Sequence, residues 1–265
     1  MGDAVSKSSE AQTKPAVGAL DDSTRVLFKD VSHTFPDGTE VLRNVDLKVE
    51  KGEFVAVIGP SGCGKSTLLR LASGLLQPSS GEVHCERKGI GFVFQEPTLL
   101  PFRSVLGNAE LFAEFAGLAK AERRNLAMDA LERVGLIGFE DKYPKTLSGG
   151  MKMRASLARS LVLRPSLFLL DEPFAAVDEI TRQRLGDDLI GLFSRDRFAT
   201  MFITHSVAEA CYLADRVVVM SKRPACILGE VELPFPYPRS PELRFESEFT
   251  ERTREVSARL SESGA

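Results

Sequence analysis

Apolar and polar positions change their period along the chain. Val45-Asp46-Leu47-Lys48-Val49 alternates with period two, as a strand with one wet face does, and Val26-Leu27-Phe28 precedes it as a further strand. Phe54-Val55-Ala56-Val57-Ile58 is apolar without a break, which suits a strand covered on both faces. Pro36-Asp37-Gly38 and Lys51-Gly52 are turn signals between these runs. An antiparallel sheet is expected first, and a buried parallel one after it. From about residue 104 to 162 the period becomes helical. Leu126, Ala130, Leu131 and Val134 share one face, and Ala155, Ala158, Leu161 and Val162 share another. Buried strands return at residues 167–170, 201–203 and 217–220, with a helix around 181–193. Strand, helix, strand order with apolar strands predicts a doubly wound α/β core, interrupted by an inserted helical subdomain.

The ends read differently. Residues 1–24 are polar with few large apolar side chains, and a mobile tail is expected there. Met1-Gly2 with Ser6 fits an N-myristoylation pattern, but no basic cluster follows, so the match is read as chance. Beyond Leu233, Pro234, Pro236, Pro238 and Pro241 argue against helix or central strand. Phe245, Phe249, Val256 and Leu260 then recur at helical spacing, predicting a C-terminal helix docked on the surface. The expected organisation is a tail (1–24), one domain (25–233) with a helical subdomain at about 98–162, and a proline-rich linker with a helix (234–265).

Composition narrows the partners. The 265 residues are 43% hydrophobic and 27% charged, an ordinary globular balance. Lys and Arg number 34 against 37 Asp and Glu, a net charge of -3, so nothing electrostatic invites nucleic acid. No apolar run approaches the roughly 18 residues of a spanning helix, and no signal region stands at the start. Cys63, Cys85, Cys211 and Cys226 match no zinc spacing, and a reducing cytoplasm is expected.

The chemistry begins after the buried strand. Gly59-Pro60-Ser61-Gly62-Cys63-Gly64-Lys65-Ser66-Thr67 fits the phosphate-loop pattern and stands between a strand and a helix. Its glycines let backbone N–H groups turn around phosphate oxygens, and the helix N-terminus adds a positive dipole end. Lys65 supplies charge to the β- and γ-phosphates, and the Ser66 hydroxyl can ligate Mg²⁺. Leu167-Phe168-Leu169-Leu170-Asp171-Glu172-Pro173 is an apolar strand ending in two carboxylates. Alternation points them in different directions, so one can serve Mg²⁺ and the other an attacking water. Leu147-Ser148-Gly149-Gly150-Met151 opens a helix with a good N-cap and two glycines that expose N–H groups.

In this order the motifs resemble those of the ATP-binding-cassette ATPases, over residues 26–233. The glutamine loop matches Phe94-Gln95-Glu96, the signature Leu147-Ser148-Gly149-Gly150, the aspartate loop Ala175-Ala176-Val177-Asp178, and the histidine switch Thr204-His205. Phe35 falls where the family stacks an aromatic ring on adenine. The resemblance implies an α/β phosphate-loop cassette with a mostly parallel core sheet, an N-terminal antiparallel β subdomain and an inserted helical subdomain. It implies ATP and Mg²⁺, and a homodimer. Each composite site would take Lys65, Ser66, Gln95, Asp171, Glu172 and His205 from one copy, with Ser148 and Gly150 from the other. Gly149 and Asp178 complete the nucleotide-binding set. Glu172 would be the general base, His205 the γ-phosphate sensor, and Ser66, Gln95 and Asp171 the metal ligands. Gln95 would also link the metal to a membrane partner.

Three positions depart from the family's commoner residues: Met151 for Gln, Phe35 for Tyr and Val177 for Leu. Within the family, Leu99-Leu100-Pro101-Phe102-Arg103-Ser104-Val105, Asp178-Glu179-Ile180-Thr181-Arg182, Leu213-Ala214-Asp215-Arg216-Val217 and Ser221-Lys222-Arg223-Pro224 resemble the nitrate, sulfonate and taurine import branch. That branch implies two integral-membrane permease subunits, a periplasmic or lipoprotein solute-binding protein, and a peripheral place at the cytoplasmic face of the cell membrane. Leu99, Leu100, Phe102, Phe112 and Phe115 are candidates for the groove that receives the permease; core packing is the other reading of Phe112 and Phe115. Two rivals stay open: a lipid-transport cassette, which shares the Met151 variant, and a soluble cassette ATPase acting on DNA or the ribosome. The second would ordinarily carry a coiled coil, a second cassette or basic extensions. A plain phosphate-loop kinase would leave Leu147-Ser148-Gly149-Gly150 and His205 without purpose.

Overall fold

The computed structural model describes residues 21–86 and 89–263. The tail reading up to residue 20 and the myristoylation pattern lie outside the described residues.

Strands β1 (Thr24–Thr34), β2 (Glu40–Glu50) and β4 (Ser80–Cys85) form an antiparallel sheet in the order β2-β1-β4. β1 extends well beyond the fragment that alternation alone reveals. Val26 and Phe28 are buried, then Val31 and His33, because the register shifts between Phe28 and Val31. A bulge of that kind moves the alternation to the other parity and hides the rest of the strand from a period-two reading.

The second sheet has six strands: β3 (Phe54–Ile58), β5 (Ile90–Val93), β6 (Leu167–Asp171), β7 (Ala199–Ile203), β8 (Arg216–Met220) and β9 (Ile227–Glu232). Their order is β5-β6-β7-β3-β8-β9, and every pairing is parallel except β8 with β9. Helix α1 (Lys65–Ala72) follows β3. Helices α2 (Val105–Ala109), α3 (Leu111–Phe115), α4 (Lys120–Arg133) and α5 (Gly149–Leu161) lie between β5 and β6 in the chain. Helices α6 (Glu179–Asp196), α7 (Val207–Leu213) and α8 (Ser247–Glu262) complete the fold.

Alternation within the buried strands assigns each residue to one of two cores. Phe54, Ala56, Ile58, Phe168, Leu170 and Phe202 pack with the helices from α2 to α8. Val55, Val57, Leu169, Met201 and Ile203 pack instead with α1 and the antiparallel sheet. The six-stranded sheet is therefore covered on both faces, which is why β3 carries no polar residue. No helix is long and apolar enough to cross a membrane among the described residues.

The proline-rich stretch packs against the domain. Leu233 and Phe235 are buried, and the Tyr237 hydroxyl donates to the Leu213 carbonyl at 2.6 Å. Arg239 is buried as well, and its guanidinium donates to the carbonyls of Phe235, Cys211 and Tyr212 at 2.8–3.3 Å. It also lies 4.3 Å from the Tyr237 ring centroid. These bonds give the carbonyls in the last turn of α7 donor partners at an end that a helix leaves unsatisfied. On α8, Phe249 and Val256 are buried and Leu260 packs against the core. Phe245 differs from the helical reading. Pro241 starts a separate 3-10 turn over Pro241–Phe245, so Phe245 falls out of phase with α8 and is 87% exposed.

Arg239→Ala leaves three buried carbonyls short of donors and is expected to destabilise the fold by about 3 kcal/mol. Equilibrium denaturation in urea measures it as a fall in midpoint without a change in slope.

Candidate active site

Three neighbouring strands bring the site together. In the order β6-β7-β3, Asp171 is level with Ile203, and Ile203 with Val57. The chain leaves all three strands at the same edge, so the phosphate loop, the acidic pair and the histidine emerge side by side. Gln95 follows β5, the next strand along.

The phosphate loop is shaped for an anion. Gly62 and Gly64 have φ of +71° and +128°, a region that side chains with a Cβ rarely adopt. A Cβ on Gly64 would stand 2.7 Å from Val41 Cγ1, so the loop can close only around glycine. Gly59 is equally confined, with Cys63 Sγ and Met220 Cβ each 3.1 Å from where its Cβ would be. Cys63 and Thr67 are buried and face the domain, while Pro60 is half-buried and Ser61 exposed. Burial pushes the Cys63 thiol pKa up, which keeps it in the neutral form. Helix α1 starts at Lys65 without a side-chain cap, leaving its first N–H groups for a ligand. Lys65 is buried, and its Nζ donates to the carbonyls of Gly59 and Pro60 at 2.9 and 3.0 Å. An ammonium has three donors, so one remains to meet a phosphate oxygen.

The Ser66 hydroxyl donates to Asp171 Oδ1 at 2.9 Å. Burial raises the Asp171 pKa, and the Ser66 bond pulls it part of the way back. Glu172 points elsewhere: its Oε2 lies 3.2 Å from His205 Nδ1. Its φ is +45°, a strained choice for a side chain with a Cβ, and its N–H donates to the Ile203 carbonyl at 3.0 Å. The β6–β7 ladder thus holds Glu172 in a conformation that turns its carboxylate toward His205. Gln95 is exposed, and among the described residues its side chain makes no hydrogen bond.

The remaining candidates lie apart. Phe35 is half-buried on the antiparallel sheet, its ring 4.9 Å from that of His33. Ser148 caps α5, accepting from the Met151 N–H at 3.3 Å. Gly149 and Gly150 pack against Val177 and Thr181, and a Cβ on Gly150 would stand 2.7 Å from Thr181 Cγ2. Asp178 caps α6 through the Thr181 N–H at 3.0 Å, which holds its carboxyl below the usual range. No hydrogen bond among the described residues joins Ser148, Gly149 or Gly150 to the phosphate loop of the same chain. A cavity of about 230 Å³ lies away from the phosphate loop, with walls from α6, α7, Arg244 and Phe249.

Arg223 escaped the sequence reading. From the loop after β8 its guanidinium donates to the Gly62 carbonyl, with Nε at 3.1 Å, so a second cation flanks the phosphate loop. Its signal was a basic residue after the strand adjacent to β3, in a segment read only as a branch marker.

The family described as ABC transporter matches residues 42–175. The nitrate import ATP-binding protein NrtD of Synechococcus elongatus is 43% identical over 241 residues, covering 86% of this chain and 88% of that protein. The aliphatic sulfonates import ATP-binding protein SsuB 1 of Pseudomonas savastanoi pv. phaseolicola is 46% identical over 202 residues, covering 76% and 83%. The chain belongs to the ABC transporter family. Among solved structures, the dimeric post-hydrolysis state of the ATP-binding cassette MJ0796, bound to ADP and Pi, superposes with a TM-score of 0.71 at 31% identity. It covers 80% of this chain and all of that one. The cbiO1 component from Clostridium perfringens superposes with a TM-score of 0.75 at 27% identity, over 92% and 98% of the two chains. The chain is thus an ABC ATPase, with the α/β cassette fold that its motifs led one to expect.

Burying the Asp171 carboxylate costs stability above its raised pKa and costs nothing below the ordinary carboxylate value, where both states are protonated. Asp171→Asn is therefore expected to raise the Tm of the nucleotide-free protein at neutral pH, by about 2–4 °C at most. Calorimetry of both proteins at pH 7 without added nucleotide reads the difference.

Proposed function

We propose that two copies of this chain hydrolyse ATP to power the import of a small solute, of the nitrate, sulfonate or taurine type or a related organic molecule, through a membrane permease. The observation that carries the catalytic part is the convergence of Lys65, the Ser66–Asp171 pair and the Glu172–His205 pair at one edge of three adjacent strands. The relatives that import nitrate and aliphatic sulfonates support the solute class.

ATP binds with its phosphates in the loop of residues 59–67, and Phe35 stacks on adenine. Lys65 releases one or both loop carbonyls or uses its third donor to hold the β- and γ-phosphates. Mg²⁺ takes oxygen ligands, keeps several waters and needs only one or two protein groups beside phosphate oxygens. The Ser66 hydroxyl and the Asp171 carboxylate, 2.9 Å apart, would hold it, with the Gln95 side-chain oxygen as a further ligand when the glutamine loop closes on the site. When bound, the cation neutralises charge on the β- and γ-phosphates. Glu172 accepts the proton of the attacking water, and its fixed backbone aims the carboxylate. His205 orients Glu172 through Nδ1 and senses the γ-phosphate with the other ring nitrogen.

One chain supplies one phosphate loop and one signature. Ser148, Gly149 and Gly150 of each copy, with Asp178, close the ATP site of the other, where the α5 N-terminus meets the γ-phosphate. The exposed rings of Phe102 and Phe115, at 73% and 75% exposure, offer apolar surface to the two permease subunits, whereas Leu99 and Phe112 pack inward. A periplasmic or lipoprotein solute-binding protein delivers the solute, and the ATPase sits peripherally at the cytoplasmic face of the membrane.

Glu172→Gln keeps the shape of the side chain and removes its base. Turnover should fall by about 10²–10⁴ while the affinity for a fluorescent ATP analogue stays within about twofold of wild type. Hydrolysis near the wild-type rate would overturn the assignment. The solute class is checked by uptake of labelled nitrate, taurine and methanesulfonate in cells with and without the gene; unchanged uptake of all three refutes it.

A further inference from the structure

Between the histidine switch and the aspartate loop lies a continuous polar chain that the catalytic reading does not use. The Thr204 hydroxyl donates to Glu209 Oε2 at 2.5 Å, and the Ser206 N–H donates to Thr204 Oγ1 at 3.0 Å. The other oxygen of Glu209 lies 3.4 Å from Arg182 Nε. Arg182 in turn donates through Nη2 to the Val177 carbonyl at 3.2 Å, and through Nη1 to Glu179 at 3.3 Å. Val177 packs on Gly149, and Thr181, in the first turn of α6, packs on Gly150. The path therefore runs from the residue before His205 to the first glycines of α5.

We propose that Arg182 and Glu209 are a positioning pair that holds the histidine-bearing strand end in register with the aspartate loop and, through it, couples the two ATP sites of the dimer. The inference rests on the dimer reading above. In that reading His205 serves the protomer's own ATP, while Gly149 and Gly150 serve the partner's. The two ends of this path thus belong to different sites.

The physical case is that each bond is aimed at a backbone or side-chain atom adjacent to a working residue. Thr204 immediately precedes His205, and Val177 immediately precedes Asp178. One carboxylate oxygen of Glu209 accepts from Thr204 and the other forms an ion pair with Arg182, which also donates to Val177 and Glu179 at the entry to α6. Burial raises the Glu209 pKa, and the Thr204 bond and the Arg182 charge only partly oppose it. Ser206 and Glu209 also have the spacing of a capping box at the start of α7, with the Glu209 N–H donating to Ser206 Oγ at 3.3 Å. Here the Glu209 side chain leaves the cap and turns to Thr204 and Arg182.

The test uses the full chain, with ATP hydrolysis measured against ATP concentration and binding measured with a fluorescent ATP analogue. Arg182→Gln and Glu209→Gln should each lower kcat by about tenfold with nucleotide affinity unchanged. Each should also take the Hill coefficient from a value approaching the number of sites, about 2, down to about 1. The double variant should be no worse than either single one, because both break the same link. Arg182→Lys keeps the charge and should recover part of the cooperativity. It also separates the inference from a folding defect, as does a Tm within a few degrees of wild type. Wild-type kcat and Hill coefficient in the single variants, losses that multiply in the double variant, or an affinity that falls in step with kcat would each overturn the coupling. So would wild-type hydrolysis without cooperativity. A wild-type protein with no ATPase activity would instead refute the functional reading on which the pair depends.

Discussion

Burial of the six-stranded sheet on both faces is the constraint on which the rest depends. A parallel strand with helices or a second sheet on either side can present polar groups only at its ends. β3, β6 and β7 are adjacent and parallel, so their exits are forced to one edge. Functional side chains on three distant stretches of sequence meet there because no other part of those strands is open to solvent. The left-handed backbone at Gly64 and Glu172 belongs to the same edge, where the chain must leave a buried strand abruptly.

Paired polar groups hold this edge together. Lys65 rests on the carbonyls of its own loop, Ser66 on Asp171, and Glu172 on His205. Each is a hydrogen bond of modest net worth. The C-terminal segment stabilises the opposite end of α7, where Arg239 and Tyr237 meet its last carbonyls. Helix α7, which begins one residue after the Ser206 cap that follows His205, is thereby anchored at its far end while its first turn faces the site.

The grouping of Lys65, Ser66, Asp171, Glu172 and His205 at one edge was foreshadowed by motifs that follow buried strands. Gly59, Gly64, Lys65 and Ser66 stand at the spacings of the phosphate-loop pattern, and the acidic pair follows a buried strand. The central strands were legible for a related reason, since alternating and unbroken apolar runs encode one covered face or two, whereas β4, β5 and β9 at the sheet edges carry no such run. What escaped was whatever a local pattern does not encode. The bulge in β1 broke the alternation, Pro241 took Phe245 out of helical phase, and Arg223 reached Gly62 from a loop 161 residues away.

The sequence by itself determined which chemical groups are available and which segments must be buried, because both follow from residue type and local period. It also determined the family, through motifs whose order leaves little freedom. Only the tertiary structure decided which groups meet. Strand order β6-β7-β3 pairs Glu172 with His205 and Asp171 with Ser66, while Gly149 and Gly150 lie against Val177 and Thr181. Strand order is set by how the two cores pack on the sheet, a sum of long-range contacts that no local stretch of the chain carries.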